Sequence, residues 1–457
     1  MKDRNDIPAP KVNDDLLAFP LVTPLWFWLV AGALGTIVGL AVLTVFLMAL
    51  VGLQILGYTN TQQWAVLITN FVFWVGISHA GVMISAILRL TQAEWRRPVT
   101  RAAEVLTVFA LGTALTFPLI HTGRVWRTLY WVFPYDFTRG IWPDPRSALV
   151  WDPSAIVTYL TSSSMFVYIA LIPDLAVARD RSVGWKHRFY SILAMGFRGT
   201  TRQWKLQTIA GILLSALILP VFVSVHSIVS FDFAMALQPG WHSTVFAPYF
   251  VIGAVWSGVS AVATLMALLR WAFHLQDYIT PDHFDAIGRL LLVVSNAWLY
   301  FFALDVFFGI MGREEAELAM WNLRMFTWPW NVEFIIFALT GYLIPVGLML
   351  FRKIRRNITA MLWISLLVNV GMWLERWILI VPPLSFKQPF VFQWRNWYTP
   401  QWPEFILVLG SFALVSLGVL VFSKLFPIIP LFDIKEGQVL KDELKIGRVR
   451  VPAVIRE

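Results

Sequence analysis

Long apolar runs alternate with short polar segments along almost the whole chain. Crossing about 30 Å of hydrocarbon takes roughly 20 residues of α-helix. The runs that meet this length lie near residues 24–55, 64–90, 102–121, 154–172, 206–234, 243–271, 286–311, 331–351, 358–381 and 403–427. The pattern therefore predicts an all-α polytopic membrane protein with about ten transmembrane helices.

Composition supports the same class of protein. Of the residues, 58% are hydrophobic and only 14% are charged, with a mean hydropathy of +0.67. So few charges cannot cover a soluble surface. There is no cysteine, so the chain can supply neither a disulfide nor thiolate ligands for zinc or an iron–sulfur cluster. We expect no soluble enzyme, no metal site and no nucleic-acid partner.

The net charge of +9 is interpreted as orientation information, because basic residues concentrate in the cytoplasmic loops of membrane proteins. They follow the second, fourth and eighth helices: Arg96, Arg97 and Arg101, then seven from Arg179 to Lys205, then Arg352, Lys353, Arg355 and Arg356. Both termini, with tails 1–23 and 428–457, are therefore predicted to be cytoplasmic. The Trp-rich segments 122–153, 312–330 and 382–402 then lie outside, as an aromatic belt or a docking surface for a partner protein.

Two helix ends resemble each other across the chain. Ser85-Ala-Ile-Leu-Arg89 closes the second helix, and Met266-Ala-Leu-Leu-Arg270 closes the sixth. Duplicated bundles are common in membrane carriers. We therefore expect two repeated four-helix bundles, 64–234 and 235–381, plus two peripheral helices. The first peripheral helix lies in 24–63, and an outer loop with the second occupies 382–427.

Polar side chains converge at the predicted outer ends of the first bundle. They are His121, Asp152, His226, Asp232 and His242. A quinol bound there would need hydrogen-bond partners for two hydroxyls and a base for each proton, and histidine facing a carboxylate suits that chemistry. Arg124 and Arg127 could orient the carboxylate. Asp152 before Pro153 would also serve as a plain helix N-cap, and the histidines could simply form interhelical hydrogen bonds.

A second polar set lies deeper in the predicted spans: His79, Asp305, Glu333, Glu375 and Arg376. Charges at bilayer depth are costly and need partners or water. They could form a proton path, or they could be static pairs, such as an acid of the second bundle with Arg376. Haem ligation would need two facing imidazoles at one depth. Only pairs such as His121 with His226 qualify, so no haem is expected.

Several motifs resemble those of the NrfD-like family of membrane anchors, which includes the membrane anchor of polysulfide reductase. They are Trp74-x-Gly76-x-Ser78-His79-Ala80-Gly81, Ser85-Ala-Ile-Leu-Arg89-Leu, Glu94-Trp-Arg96 and Arg101-Ala-Ala-Glu104. The outer segments look like the quinol-binding branch, ActC, of bacterial alternative complex III. These are Phe133-Pro-Tyr135, Arg139-Gly140-x-Trp142-Pro143, Arg146-Ser147, Trp151-Asp152, His226-Ser227 and Trp241-His242. The resemblance covers roughly residues 20–425.

The resemblance implies oxidation of menaquinol or ubiquinol near the outer face of a bacterial cytoplasmic (inner) membrane. It implies His121 and Asp152 as catalytic residues. The candidate quinol-binding residues are Arg124, Arg127, Tyr130, His226, Asp232, His242, Arg376 and Arg395. Electrons would pass to an iron–sulfur subunit docked on the outer loops and to multihaem cytochrome c subunits, beside a second NrfD-like membrane subunit. This chain itself would bind neither metal nor haem, and proton translocation could accompany turnover.

Three other interpretations stay open at this point. The chain could be the NrfD-type anchor of a polysulfide or molybdopterin reductase, or a purely structural anchor. It could also be a secondary transporter. A transporter should contain helices broken by glycine or proline at matching positions of the two halves, and no convincing pair of such breaks is present.

Overall fold

The computed structural model describes residues 8–59, 62–127, 140, 142, 146, 148–236, 238–241, 243–386, 398–439, 443–446 and 449–452. The helices are α1 (Ala9–Leu21), α2 (Leu25–Val51), α3 (Ala65–Leu90), α4 (Thr100–His121), α5 (Ala148–Asp180), α6 (Trp185–Leu193), α7 (Thr201–Ala234), α8 (Phe246–Ala272), α9 (Pro281–Gly312), α10 (Glu315–Phe326), α11 (Trp330–Met349), α12 (Arg352–Arg355), α13 (Ile358–Ser385), α14 (Trp402–Leu425) and α15 (Leu431–Val439). A short antiparallel hairpin, β1 (Glu443–Ile446) and β2 (Val449–Pro452), follows α15.

The prediction of an all-α membrane protein is confirmed. In the described part of the chain, ten helices are long and apolar enough to cross a bilayer: α2, α3, α4, α5, α7, α8, α9, α11, α13 and α14. Each overlaps one of the predicted runs. The short helices α1, α6, α10, α12 and α15 were not predicted, because their sequences are amphipathic or polar and lack a long apolar run.

The fourth predicted span, 154–172, was too short. Helix α5 begins at Ala148 and continues to Asp180, through Pro153 and Pro173. Proline lacks an amide hydrogen, so Pro173 leaves the carbonyl of Ile169 without its helical partner. The side-chain amide of Gln207 on α7 donates to that carbonyl. A neighbouring helix thus compensates for the proline, as is common in membrane proteins.

Helix α3 lies at the centre of the structure. Almost all of its residues are buried, and it packs against α4, α7, α8 and α13. Small residues allow close contact with α8. A Cβ atom at Gly258 would lie 2.8 Å from the carbonyl oxygen of Ile77, closer than van der Waals contact allows. Close backbone approach through small residues is a usual mode of helix packing in membranes.

Helix α2 has a different environment. Only Phe27, Thr44 and Met48 are buried on it, and its main neighbour is α14. Most of its apolar surface is therefore available to lipid. The two helices with similar ends, α3 and α8, contact each other directly. The division into bundles 64–234 and 235–381 stays a prediction.

Helix α15 docks on the segment between α3 and α4 through ion pairs. Arg96 Nη1 lies 3.0 Å from Asp433, and Arg97 lies 2.8 Å from Glu94 and 2.7 Å from Glu436. Burial alone would raise the pKa of Asp433, but the nearby arginines outweigh it and the pKa is lowered. The predicted tail 428–457 therefore begins with a helix that is held by charge.

Candidate functional site

His121 is the last residue of α4 and is buried in an aromatic setting. Its ring stacks on Trp64, with centroids 5.3 Å apart, and lies 6.2 Å from Phe71 and 5.9 Å from Phe117. The indole N–H of Trp64 donates to the His121 carbonyl at 3.1 Å. The ring also contacts the backbone of Leu67. Among the described residues, His121 Nε2 has no hydrogen-bond partner.

Two carboxyl groups lie at the same end of the molecule. Asp152 is buried in the first turns of α5, and Asp232 is half-buried near the end of α7. They are close enough to interact electrostatically. The Oδ1 atom of each carboxyl group forms no hydrogen bond within the described parts of the chain. The N-cap interpretation of Asp152 was wrong, because α5 begins four residues earlier at Ala148.

His226 lies deeper than these carboxyl groups. Its ring is 4.6 Å from that of His79 and 5.7 Å from that of Phe250. His79 is fully buried on α3, and its Nδ1 hydrogen-bonds with the Val75 carbonyl. The His79 ring stacks on Tyr159 of α5 at 4.8 Å. His226 therefore belongs to the deep polar set. Its position near the end of a predicted span had suggested the outer set instead.

A polar cluster continues from this pair toward α13. Arg376 Nη2 donates to the Phe250 carbonyl at 3.4 Å, and the guanidinium lies over the Phe250 ring. Arg376 Nε is 3.3 Å from Glu375, whose other carboxylate oxygen accepts a hydrogen bond from the Tyr249 hydroxyl. The ion pair expected for Arg376 therefore forms with the adjacent residue on its own helix.

Asp305 and Arg324 extend the same cluster. Asp305 is buried on α9, hydrogen-bonds with Ser243 and interacts electrostatically with Arg324 and Glu375. Arg324 donates to the carbonyl of Gly240 at 3.1 Å. Burial lowers the pKa of Arg324, which lies on α10 outside the ten spans. Paired in this way, acids and arginines can remain buried.

Comparison with known proteins now identifies the family. Residues 54–386 match the family described as "Polysulphide reductase, NrfD". This chain belongs to the NrfD family. A similar protein from Halobacterium salinarum, a putative membrane subunit of dimethyl sulfoxide reductase, is 26% identical over 218 residues, which are 48% of this chain and 46% of that protein. The match thus spans about half the length of the relative.

The family confirms part of the resemblance drawn from the motifs. The NrfD match runs from before α3 to the end of α13, and both the family and the relative are membrane subunits of reductases. This NrfD chain is therefore a multi-pass membrane protein of a family that is named for polysulphide reductase. The narrower resemblance to alternative complex III stays a prediction.

The other predicted site residues of the NrfD chain have varied environments. Arg124 is half-buried and Arg127 is exposed, both just beyond α4. Glu333 accepts a hydrogen bond from the indole of Trp377 at 2.7 Å, apart from the cluster around Arg376. Tyr130, His242 and Arg395 lie outside the described residues. Within the described ranges, no three His, Asp or Glu side chains are arranged to hold a metal ion.

Sequence reasoning missed several residues of the NrfD core. Trp64, Tyr159 and Tyr249 contact the predicted histidines and acids, and no spacing pattern marks them out. Glu104 and Asp174 could have been found, because each is a carboxylate in or beside an apolar run. Both are buried against Arg101, with Asp174 at 3.1 Å. The predicted end of the fourth helix at residue 172 hid Asp174.

Proposed function

We propose that this NrfD chain oxidises quinol at the common end of α4, α5 and α7. The observation that carries the proposal is the set of acid and base groups there. His121, Asp152 and Asp232 each have a polar atom without a partner among the described residues. A buried polar atom that stays unpaired is costly, and a quinol hydroxyl would satisfy two of them at once.

The chemistry follows from the residue types. Quinol loses two protons and two electrons to become quinone. His121 Nε2 would accept one hydroxyl proton, and Asp152 would accept the other. Asp232 would disfavour a second negative charge on Asp152 and so strengthen Asp152 as the acceptor of that proton, which would then pass to water. Trp64 would hold the imidazole in place. The electrons would leave to a redox cofactor in a partner subunit.

We propose the alternative complex III arrangement for the partners. Menaquinol or ubiquinol would deliver electrons to an iron–sulfur subunit and on to multihaem cytochrome c, next to a second NrfD-like subunit. The protons would leave on the positive side of a bacterial inner membrane with both termini of this chain cytoplasmic. Support comes from the motif resemblance and from the basic segments between alternate spans.

A second candidate is the membrane subunit of a dimethyl sulfoxide or polysulfide reductase. The relative from Halobacterium favours it, because its name assigns it to such an enzyme. Quinol would be oxidised in the same way, but the electron acceptor would differ. Purifying the complex through a tag on this chain would separate the two: c-type haem absorbance supports the first candidate, and a molybdopterin cofactor supports the second. Absence of any redox cofactor would favour an anchor or transporter.

The decisive test concerns His121. In the assembled complex, His121→Ala should abolish reduction of the partner cofactors by a soluble quinol, and Asp152→Asn should slow it strongly. His187→Ala is the matched control, because His187 is exposed on α6 at the opposite end of the spans. A quinone analogue should protect the wild-type site from carboxyl modification. Normal turnover of His121→Ala would remove the proposal.

Proton translocation through the deep polar set is a separate proposal. His79, Glu375 and Asp305 are buried, and ring or ionic contacts join them through His226 and Arg376. Glu333 would be an entry or exit group half-buried at the edge. Glu375→Gln should lower the proton-to-electron ratio in proteoliposomes while quinol oxidation continues. An unchanged ratio would leave these residues as static pairs.

A further inference from the structure

The connection between α5 and α7 carries unpaired positive charge. No acidic residue stands between Asp180 and Asp232 in the sequence. Four basic residues of this stretch are exposed and form no ion pair with any residue in the described ranges. They are Arg188, Arg198, Arg202 and Lys205. Nothing within this part of the chain neutralises them.

Most other basic residues at this end of the spans are neutralised. Those within 4.0 Å of a carboxylate are Arg96, Arg97, Arg101, Arg179, Arg181, Arg289, Arg352, Arg355 and Arg356. Of the exposed Lys and Arg residues at this end that have no acidic partner in the described ranges, four are concentrated at α6 and the start of α7, and the other is Lys353 on α12. A charge set by membrane orientation alone would not need to be concentrated there.

Apolar side chains are exposed on α6, the helix that carries Arg188. Trp185 is 67% exposed and Ile192 is 76% exposed. With Arg188 they recur at positions i, i+3 and i+7, so all three lie on one side of α6. Tyr190 is buried on another side, and its hydroxyl donates to the Leu425 carbonyl at 2.8 Å. This bond fixes α6 beside the end of α14, with its mixed apolar and cationic side outward.

The stability of α7 does not account for two of the cations. Arg202 and Lys205 lie in its first turns, where the helix dipole favours acidic residues and disfavours basic ones. The start of α7 is already capped, since Thr200 and Gln203 form a reciprocal capping box. Neither the helix dipole nor the capping of α7 therefore accounts for these cations.

We infer that one surface of this connection, here called the α6 surface, binds anionic phospholipid. The α6 surface consists of Trp185, Arg188, Ile192, Arg198, Arg202 and Lys205. Helix α6 joins the ends of two spans, so it lies at the boundary between hydrocarbon and water. Lipid phosphates would pair with the four cations, while the acyl chains pack on Trp185 and Ile192. Interfacial helices with basic and aromatic residues bind anionic leaflets in this manner. The inference does not depend on the quinol proposal.

The test uses the complete complex purified in neutral detergent and titrated in native mass spectrometry. Phosphatidylglycerol is compared with phosphatidylcholine of the same acyl chains. The test variant carries Arg188→Gln, Arg198→Gln, Arg202→Gln and Lys205→Gln. Each cation near an anionic headgroup contributes about a fivefold change in affinity. Four independent cations would give about 600-fold, so we expect a loss of at least about 20-fold for phosphatidylglycerol and little change for phosphatidylcholine.

A matched control removes exposed cations from the same end of the spans. It carries Arg289→Gln, Arg352→Gln and Lys353→Gln, whose residues lie around α9 and α12. Its affinity for phosphatidylglycerol should stay within about twofold of wild type. Size-exclusion chromatography verifies that both variants assemble. If the α6 variant fails to assemble, the pair Arg188→Gln and Arg198→Gln replaces it, with an expected loss of about tenfold or more.

Three outcomes would overturn the inference. The first is unchanged phosphatidylglycerol affinity in an assembled α6 variant, and the second is an equal loss in the control. The third is protection of the α6 surface from arginine-directed labelling in the delipidated complex, which would assign the surface to a partner protein. Labelling that falls only when phosphatidylglycerol is added would support the lipid.

Discussion

Replacing Trp64 tests whether neighbouring side chains fix the position of the His121 imidazole. Trp64 makes two contacts with the histidine: a stacked ring at 5.3 Å and an indole hydrogen bond to its carbonyl at 3.1 Å. It does so from a left-handed backbone conformation, with φ of +60°. A non-glycine residue rarely adopts that conformation without a compensating gain. We therefore expect Trp64 to be a positioning residue for the proposed base.

The expected loss of activity in the Trp64 variants can be calculated from those two contacts. A hydrogen bond of this type contributes about 1 kcal/mol, and an aromatic pair adds about 0.5–1.5 kcal/mol beyond its buried area. Trp64→Phe keeps a ring and loses the hydrogen bond, so about a fivefold fall in activity is expected. Trp64→Ala loses both, which corresponds to about 2 kcal/mol and a fall of about 30-fold.

The assay is steady-state quinol oxidation by the assembled complex, with kcat and KM measured separately. A positioning role should lower kcat in the order wild type, Trp64→Phe, Trp64→Ala, with the phenylalanine restoring part of the loss. Trp126→Phe and Trp126→Ala provide the control, since Trp126 is 62% exposed near the same helix end. Activity of Trp64→Ala within twofold of wild type would refute the reasoning. An equal loss in both variants would show that the ring does not matter.

Three further predictions concern the scaffold. Because the pKa of Asp433 is lowered, its contribution to docking of α15 is fully present above its unfolded pKa of about 4 and is lost progressively as pH falls from that value through the lower folded pKa. Limited proteolysis should therefore release the C-terminal segment only in acid, whereas Asp433→Asn should release it at pH 7, and equal protection at pH 3 and pH 7 would contradict this. Gly258→Ala should destabilise the complex by about 1–3 kcal/mol and so lower its melting temperature, because the new Cβ would overlap the backbone of α3. Gly112→Ala, with open space around it, should be neutral or slightly stabilising, and similar melting of the two variants would count against the packing argument. Gln207→Leu should cost about 1–2 kcal/mol in the same melt, because the carbonyl freed by Pro173 loses its donor. A melting temperature equal to that of wild type would show that water replaces the amide.

Much of the fold could be predicted because the bilayer imposes one simple requirement. A span must hide its backbone polar groups in helix and its side chains in hydrocarbon, so apolar runs locate it. The limits of the prediction were local. The predicted fourth span ended at residue 172, but α5 continues through Pro173 because a side chain on α7 replaces the missing hydrogen bond. No one-dimensional pattern contains that contact.

The candidate site was harder to predict, because sequence distance does not measure depth. His226 and Asp232 are six residues apart, which is about 9 Å along a helix and a different face. One side chain therefore contacts His79, while the other lies near Asp152. Trp64 could not be identified, since its role depends on the packing of α3 against α4, which brings the start of α3 beside the end of α4. The type of chemistry could still be inferred, because histidines and acids are rare in apolar spans.

The bond between Gln207 and the Ile169 carbonyl makes two distant positions depend on each other. A chain with alanine at 173 would have its own amide for that carbonyl and would not need the glutamine. The two substitutions should therefore be non-additive in a double-mutant cycle. Homologous chains would be free to change position 207 only where position 173 is no longer proline.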